Sequence, residues 1–275
     1  MCVIQTDIIN QLAGIVFRST DWHLWIIRID IYWCYIKPEW ICSHKIKSTN
    51  SEITINDFID VNPSNISWTR ALKKDLSKNL EISFLHASET IGYYRPFCKQ
   101  NLYYDKNLIE SPGLNQIYFP KQKVENLIIS IPGIGGTKDF TTLISDCPTD
   151  YQVQFNNQCF PLYYYEKREK QQTSLFDEVE ESEYIKRDGV SNFILEQAKK
   201  IYGKNVSKED IFYYVYGILH SHDYQETFAN DLKKMLPRIP LVDVPKDFWK
   251  FSKAGRSLAD LHVNYENVPP YEGVN

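Results

Sequence analysis

The sequence predicts an α+β fold, with a β-rich first half built on a mixed sheet and a helical second half that contains a helical hairpin. Three observations predict it. Between residues 91 and 165, apolar and aromatic residues fall in short runs broken by Pro, Gly and Asn, the punctuation of strands and turns. Between 190 and 262 the apolar residues recur at helical spacing instead. The charged stretch Glu166 to Asp188, poor in hydrophobic residues, lies between them and reads as a loop or linker.

The totals narrow the classes. The chain has 275 residues, enough for a sizeable core. Its formal net charge of -4 argues against a basic coat, so any nucleic-acid contact must come from a local patch. Six Cys are scattered without CxxC or Cys/His spacing, which points to a reduced chain with neither a zinc site nor a disulfide framework. No signal peptide is evident. The run Trp22 to Ile36 is short and broken by Arg28 and Asp30, so no membrane span is expected. The expected location is cytoplasmic.

The chain divides into four parts. Residues 1–50 are an atypical N-terminal segment holding four of the six Trp and three of the six Cys. Residues 51–165 form the β-rich part, 166–189 the charged loop, and 190–275 the helical part.

In order, Asn62-Pro63 predicts a turn, Ile66 to Arg70 a strand-to-helix step, and Lys73 and Lys74 a short basic helix. Arg70, Lys73 and Lys74 can hold phosphates or form a solvated face. In Tyr93-Tyr94-Arg95-Pro96-Phe97, Pro96 predicts an edge strand or a bend between strands. Arg95 and Lys99 can point at a groove, and an Arg fork matches guanine O6 and N7. Set among aromatics, Arg95 suits a cation–π or salt-bridge role in a seam equally well.

Ile117 to Ile144 alternates and turns like a sheet, with a short buried strand at Leu127 to Ile131. Gly133 to Lys138 satisfies neither the Walker pattern nor GxGxxG. It predicts a reversal whose tip, Thr137 and Lys138, can touch a DNA backbone. Tyr151 to Tyr165 reads as strand-like, with an amide-rich run at Gln152, Gln154, Asn156, Asn157 and Gln158. Asn and Gln pair bidentately with adenine in the major groove. The same run also fits an exposed strand with an Asn-Asn turn.

Val190 to Tyr202 predicts a helix ending near Gly203, with Phe193, Ile194, Gln197, Ala198 and Ile201 on one side. Ser207 and Asp210 have capping-box spacing before Ile211. Ser221 to Asp223 predicts a turn, and Tyr224, Phe228, Leu232 and Met235 a second helix stopped by Pro237 and Pro240. A last helix is expected from Asp247 to His262, with Arg256 and Lys253 away from its apolar face.

Several of these segments resemble one family. YVYGILHS, FANDLKKMLPRIPLV and DFWKFSKAGRSLADLHVNYE, with ISWTRALK, YYRPFCKQNLYYD and QCFPLYYY upstream, are similar to the C-terminal target-recognition region of type ISP restriction-modification enzymes, related to fused type IIG restriction-methylases. The resemblance covers roughly residues 53–266. It implies a specificity domain that grips double-stranded DNA beside an adenine-N6 methyltransferase domain or subunit. S-adenosylmethionine, ATP and Mg would serve the full-length enzyme, with no cofactor in this chain. The alternative is a non-catalytic scaffold that docks on a methyltransferase without reading bases.

No catalytic centre is expected here. His220-Ser221-His222-Asp223 has the letters of a triad, but a triad needs convergence from separate elements. Asn267-Val268-Pro269-Pro270-Tyr271 imitates an adenine-methylase motif with a Val inserted and no apolar strand leading in.

Overall fold

A computed structural model describes residues 88–105, 109, 113–120, 124–135, 139–168 and 183–269. The expectations for residues 1–50, for the strand-to-helix step at 66–70, and for Arg70, Lys73, Lys74, Thr137 and Lys138 lie outside the described residues.

The helical half is built around two helices in backbone contact. Helix α3 (Lys208–Leu219) begins with the expected capping box, Ser207 and Asp210 exchanging side-chain and backbone bonds. Helix α6 (Pro245–Val263) starts with Pro at its first turn, where no N–H is needed. The two make the most extensive interhelical contact among the described residues. Glycine makes this possible. A Cβ on Gly255 would overlap the Tyr213 carbonyl oxygen, and one on Gly217 would overlap that of Phe251. Phe248, Phe251, Tyr214 and Tyr216 are fully buried beside this crossing.

The tyrosines of α3 and its neighbours do more than fill space. The rings of Tyr202, Tyr214 and Tyr224 are buried and their hydroxyls meet the Pro-rich strap that follows Leu236. Tyr214 Oη donates to the Pro240 carbonyl at 2.5 Å and accepts from Val242 N at 3.2 Å. Tyr202 Oη donates to Val242 O at 2.7 Å and Tyr224 Oη to Arg238 O at 2.9 Å. A buried hydroxyl needs such a partner. Burial also pushes the Tyr214 and Tyr216 hydroxyls well above their usual range.

The other helices pack around this pair. Helix α2 (Asn192–Tyr202) is capped by Ser191 and closed by Gly203 at φ 108. Its buried face is Ile194, Ala198 and Tyr202, while Phe193 and Ile201 stay exposed at 55% and 42%. After α3 the expected second limb begins at once, because Ser221 caps α4 (His222–Thr227). It breaks at Phe228 and resumes as α5 (Ala229–Leu232). His222 and Asp223 are thus the first turn of a helix and not the turn before it.

Among the described residues the strands form three small antiparallel sheets. The only parallel pairing among the described residues is an isolated bridge, Tyr93 to Thr149. Strands β1 (Glu89–Arg95) and β2 (Cys98–Tyr103) make a hairpin bent at Pro96-Phe97. The central sheet has the order β4 (Leu143–Ser145), β3 (Ile128–Ile131), β5 (Gln158–Pro161). Strand β3 is buried on both faces, which suits its unbroken apolar run. Ile129 and Ile131 face the helical core, and Ile128 faces Tyr118, Phe119 and Cys159. The main core therefore draws on both halves of the chain.

In the first half and the linker three further expectations change. Ile117 and Tyr118 lie in a helical turn, α1 (Asn115–Tyr118), and not in a strand. Buried Asn126 holds that arrangement by donating to the carbonyls of Tyr118 (2.9 Å) and Tyr163 (2.7 Å) and accepting from the N–H groups of Leu127 and Tyr163. The ends of the expected linker are paired: β6 (Tyr163–Lys167) runs antiparallel to β7 (Tyr184–Asp188). Lys186 lies over the Tyr163 ring at 3.5 Å and Arg187 pairs with Glu166 at 3.0 Å, so the charges that suggested a loop support a cross-strand ladder. Residues 151–157 form a loop, and strand begins only at Gln158.

Gly255→Ala should lower stability in urea unfolding by about 1–3 kcal/mol, the cost of overpacking a tight contact. At an exposed helical site the same change would stabilise by up to about 1 kcal/mol. A stability gain would show that the close approach of α3 and α6 is not constraining.

Candidate nucleic-acid interface

The loop from Asp146 to Asn157 joins β4 to β5 and carries the amide-rich run. It is clipped to β1: Tyr93 N donates to Pro148 O at 2.8 Å, and Asp150 N donates to Tyr93 O at 3.0 Å. From the other side, buried Asn115 donates its side-chain nitrogen to Thr149 O at 3.2 Å.

Asp150 is the centre of the loop. Its side chain is wholly buried, a costly place for a carboxylate unless it is well bonded. One carboxylate oxygen accepts from Gln152 N at 2.6 Å and from Arg95 Nη1 at 3.2 Å. Arg95 also donates to the Tyr94 carbonyl at 2.6 Å and covers the Tyr94 ring at 3.9 Å. Of its two sequence readings, the seam contact is the one the geometry displays.

Asn157 is buried at 1% exposure. With its amide nitrogen turned toward the loop, it donates to the Asp150 carbonyl at 2.8 Å and to the Tyr151 carbonyl. Gln154, 8% exposed, donates to Thr141 Oγ1 at 3.1 Å. Its carbonyl oxygen is buried with no partner among the described residues. Arg95, Gln154, Asn156 and Asn157 are thus gathered in one loop system, and three of these four side chains face inward or into a seam.

Lys99 reaches the start of the loop and not its amide run. Its Nζ donates to Val263 O at 3.1 Å and pairs with Asp146 at 2.9 Å, and its N–H donates to Tyr265 Oη at 2.9 Å. It anchors the hairpin to the end of α6. Beside it, Phe97 packs edge-on against His262 and Tyr265. His262 also meets Tyr216 Oη through Nδ1. Burial pulls His220 down to about 3 and His262 to about 4, so both rings stay neutral. His222 is on the outside, near Glu226. The letters of the imitation triad diverge, and no cluster among the described residues could hold a metal. Pro270 and Tyr271 lie outside the described residues.

The outer part of the loop is Gln152 to Asn156. Phe155 (φ 69) and Asn156 (φ 50) are both left-handed, costing on the order of 1 kcal/mol each for residues with a side chain. Gly133 N donates to Phe155 O at 3.1 Å, and Asn156 occupies the space a Cβ on Gly133 would need. Gln152 Nε2 donates to Asn156 Oδ1 at 3.2 Å. A narrow crevice borders the tip, lined by Pro132, Gly133, Phe140, Gln154, Phe155, Leu232 and Lys233. Asp150 and Phe155 were missed from the sequence. Neither a buried partner for Arg95 nor a left-handed Phe leaves a local signature.

The chain matches the type ISP C-terminal specificity domain over residues 42–275. It belongs to that family. The match begins inside the segment expected to be atypical, so residues 42–50 are part of the family region. Solved structures agree. A nuclease-deletion mutant of the type ISP restriction-modification enzyme LlaGI, in complex with a DNA substrate mimic, is 36% identical with a TM-score of 0.58, covering 76% of this chain and 14% of that one. The ATP-dependent type ISP restriction-modification enzyme LlaBIII bound to DNA is 34% identical with a TM-score of 0.63, covering 80% and 14%. DrdV, solved as a DNA complex, is 30% identical with a TM-score of 0.63, covering 78% and 19%. The specificity-domain chain therefore spans less than a fifth of the length of each. No curated protein matches significantly. No helix among the described residues is long and apolar enough to cross a membrane.

Arg95→Ala should cost about 1–3 kcal/mol of stability, since it strips a wholly buried carboxylate of its cationic partner. The check is the unfolding midpoint in urea. An unchanged midpoint would mean that the Asp150 pair carries no load in this seam.

Proposed function

We propose that this chain recognises a specific sequence on double-stranded DNA as the specificity domain of a type ISP-like restriction-modification enzyme. It would direct an adenine-N6 methyltransferase and an ATP-dependent nuclease located outside this chain. One observation carries the reading: a specificity-domain match over most of the chain, beside structural likeness to three proteins solved with DNA. S-adenosylmethionine, ATP and Mg2+ would be used by those other parts of the enzyme.

In this reading the internal contacts of Arg95, Lys99, Gln154 and Asn157 make them positioning residues. They set the loop, and its outer part meets the base edges. Asn156 retains an amide nitrogen without a partner among the described residues. Arg70, Lys73, Lys74 and Lys138 are proposed phosphate contacts that set the register. Because the chain carries no excess of positive charge, few phosphate contacts and a shallow salt dependence are expected.

A second reading has a specific observation behind it. Phe193, Ile201, Val244 and Trp249 are exposed apolar residues on the helical half, and they suit docking on a methyltransferase.

Selection from a random duplex library at moderate salt separates the two readings. The recognition reading expects enrichment of an asymmetric motif of several base pairs by the folded chain. Binding without sequence preference would favour the scaffold.

A further inference from the structure

We propose that Phe155 is an apolar wedge that enters the base stack of the bound duplex at one step. The inference rests on the DNA-recognition reading above. Phe155 is 43% exposed, although its neighbours Val153, Gln154 and Asn157 are all buried. The loop around it is over-determined. Gly133 bonds to its carbonyl, Asn156 fills the space beside Gly133, and Gln152 ties down Asn156. These contacts hold two successive residues in left-handed backbone and leave Phe155 partly exposed at the rim of the crevice. Strain held at a surface position by surrounding contacts motivates a functional reading of the tip.

The chemistry of the tip selects its target. The next loop adds a second apolar residue, Ile134, 46% exposed and adjacent to the Gly133 that bonds Phe155. Apolar tips gain nothing from phosphates. Base faces accept an aromatic ring whatever their sequence, and proteins that insert Phe or Ile between base pairs unstack and kink the step. Phe155 would open one step, while the amides beside it contact the edges thus exposed.

The test uses the full chain and a duplex carrying the selected site, with a fluorescent base analogue placed at each position in turn. Unstacking raises the emission of such an analogue. The wild type should raise it at one step only. Phe155→Ala and Phe155→Gly should abolish that rise and weaken binding by about 5- to 150-fold, the range for loss of one stacked base. Phe155→Trp should retain both. Phe155→Gly relieves the left-handed strain, and its melting temperature, read beside the binding, shows that the chain is folded when binding is lost. Wild-type affinity or persistent emission in Phe155→Gly would overturn the wedge. If the wild type binds its site with preference and raises emission nowhere, the wedge fails and the recognition reading stands. If it binds no duplex with preference, both fail.

Discussion

Helices α3 and α6 meet backbone to backbone, and the remaining structure is placed by that approach. Only glycine at 217 and 255 permits it. The closeness buries aromatic side chains of both helices; the hydroxyls of Tyr202, Tyr214 and Tyr224 bond the Pro-rich strap, and that of Tyr216 meets His262. A hydroxyl pinned in this way fixes both its helix and its acceptor. The strap from 237 to 243 is therefore ordered without secondary structure of its own, and it delivers the chain into α6 at a set angle. The far end of α6 and the turn after it then supply Val263 and Tyr265 to Lys99, which fastens the β1–β2 hairpin to the helical core.

The hairpin in turn holds the candidate interface. Tyr93 clips the 146–157 loop by two backbone bonds, and Arg95 neutralises the carboxylate at its centre. The order of dependence runs from glycine contact to helix end, to hairpin, to loop. Each step uses a polar group that would be costly to bury alone. Such a frame suits a domain that must offer a few side chains to DNA in one geometry, since a reader displaced by an ångström loses its bidentate pairing.

Much of the helical half was legible in the sequence because its signals are local. Ser207 with Asp210 is a capping box in the sequence and in the structure, and Gly203 ends α2 as its spacing implies. The bend at Pro96 and the buried strand at 128–131 were legible for the same reason. The misses come from long-range partners. Asn126 reaches Tyr163 across the fold and turns the segment before it into a helical turn. Arg187 and Lys186 look like linker charges until Glu166 and Tyr163 are opposite them. The amide run was read for its hydrogen-bonding chemistry, but Asn157 spends its amide on the loop's own carbonyls. The aromatic in the middle of that run is the residue held outward.

In the proposed recognition the chain meets DNA through its loop end and not through its exposed helical face. Backbone hydrogen exchange of the full chain, with and without the selected duplex, tests it most directly, because exchange reports protection segment by segment. Exchange should slow at 132–135 and 151–157, with α2 and the first turn of α6 unchanged. Protection confined to α2 and the start of α6, with the loop exchanging as in the free protein, would contradict it.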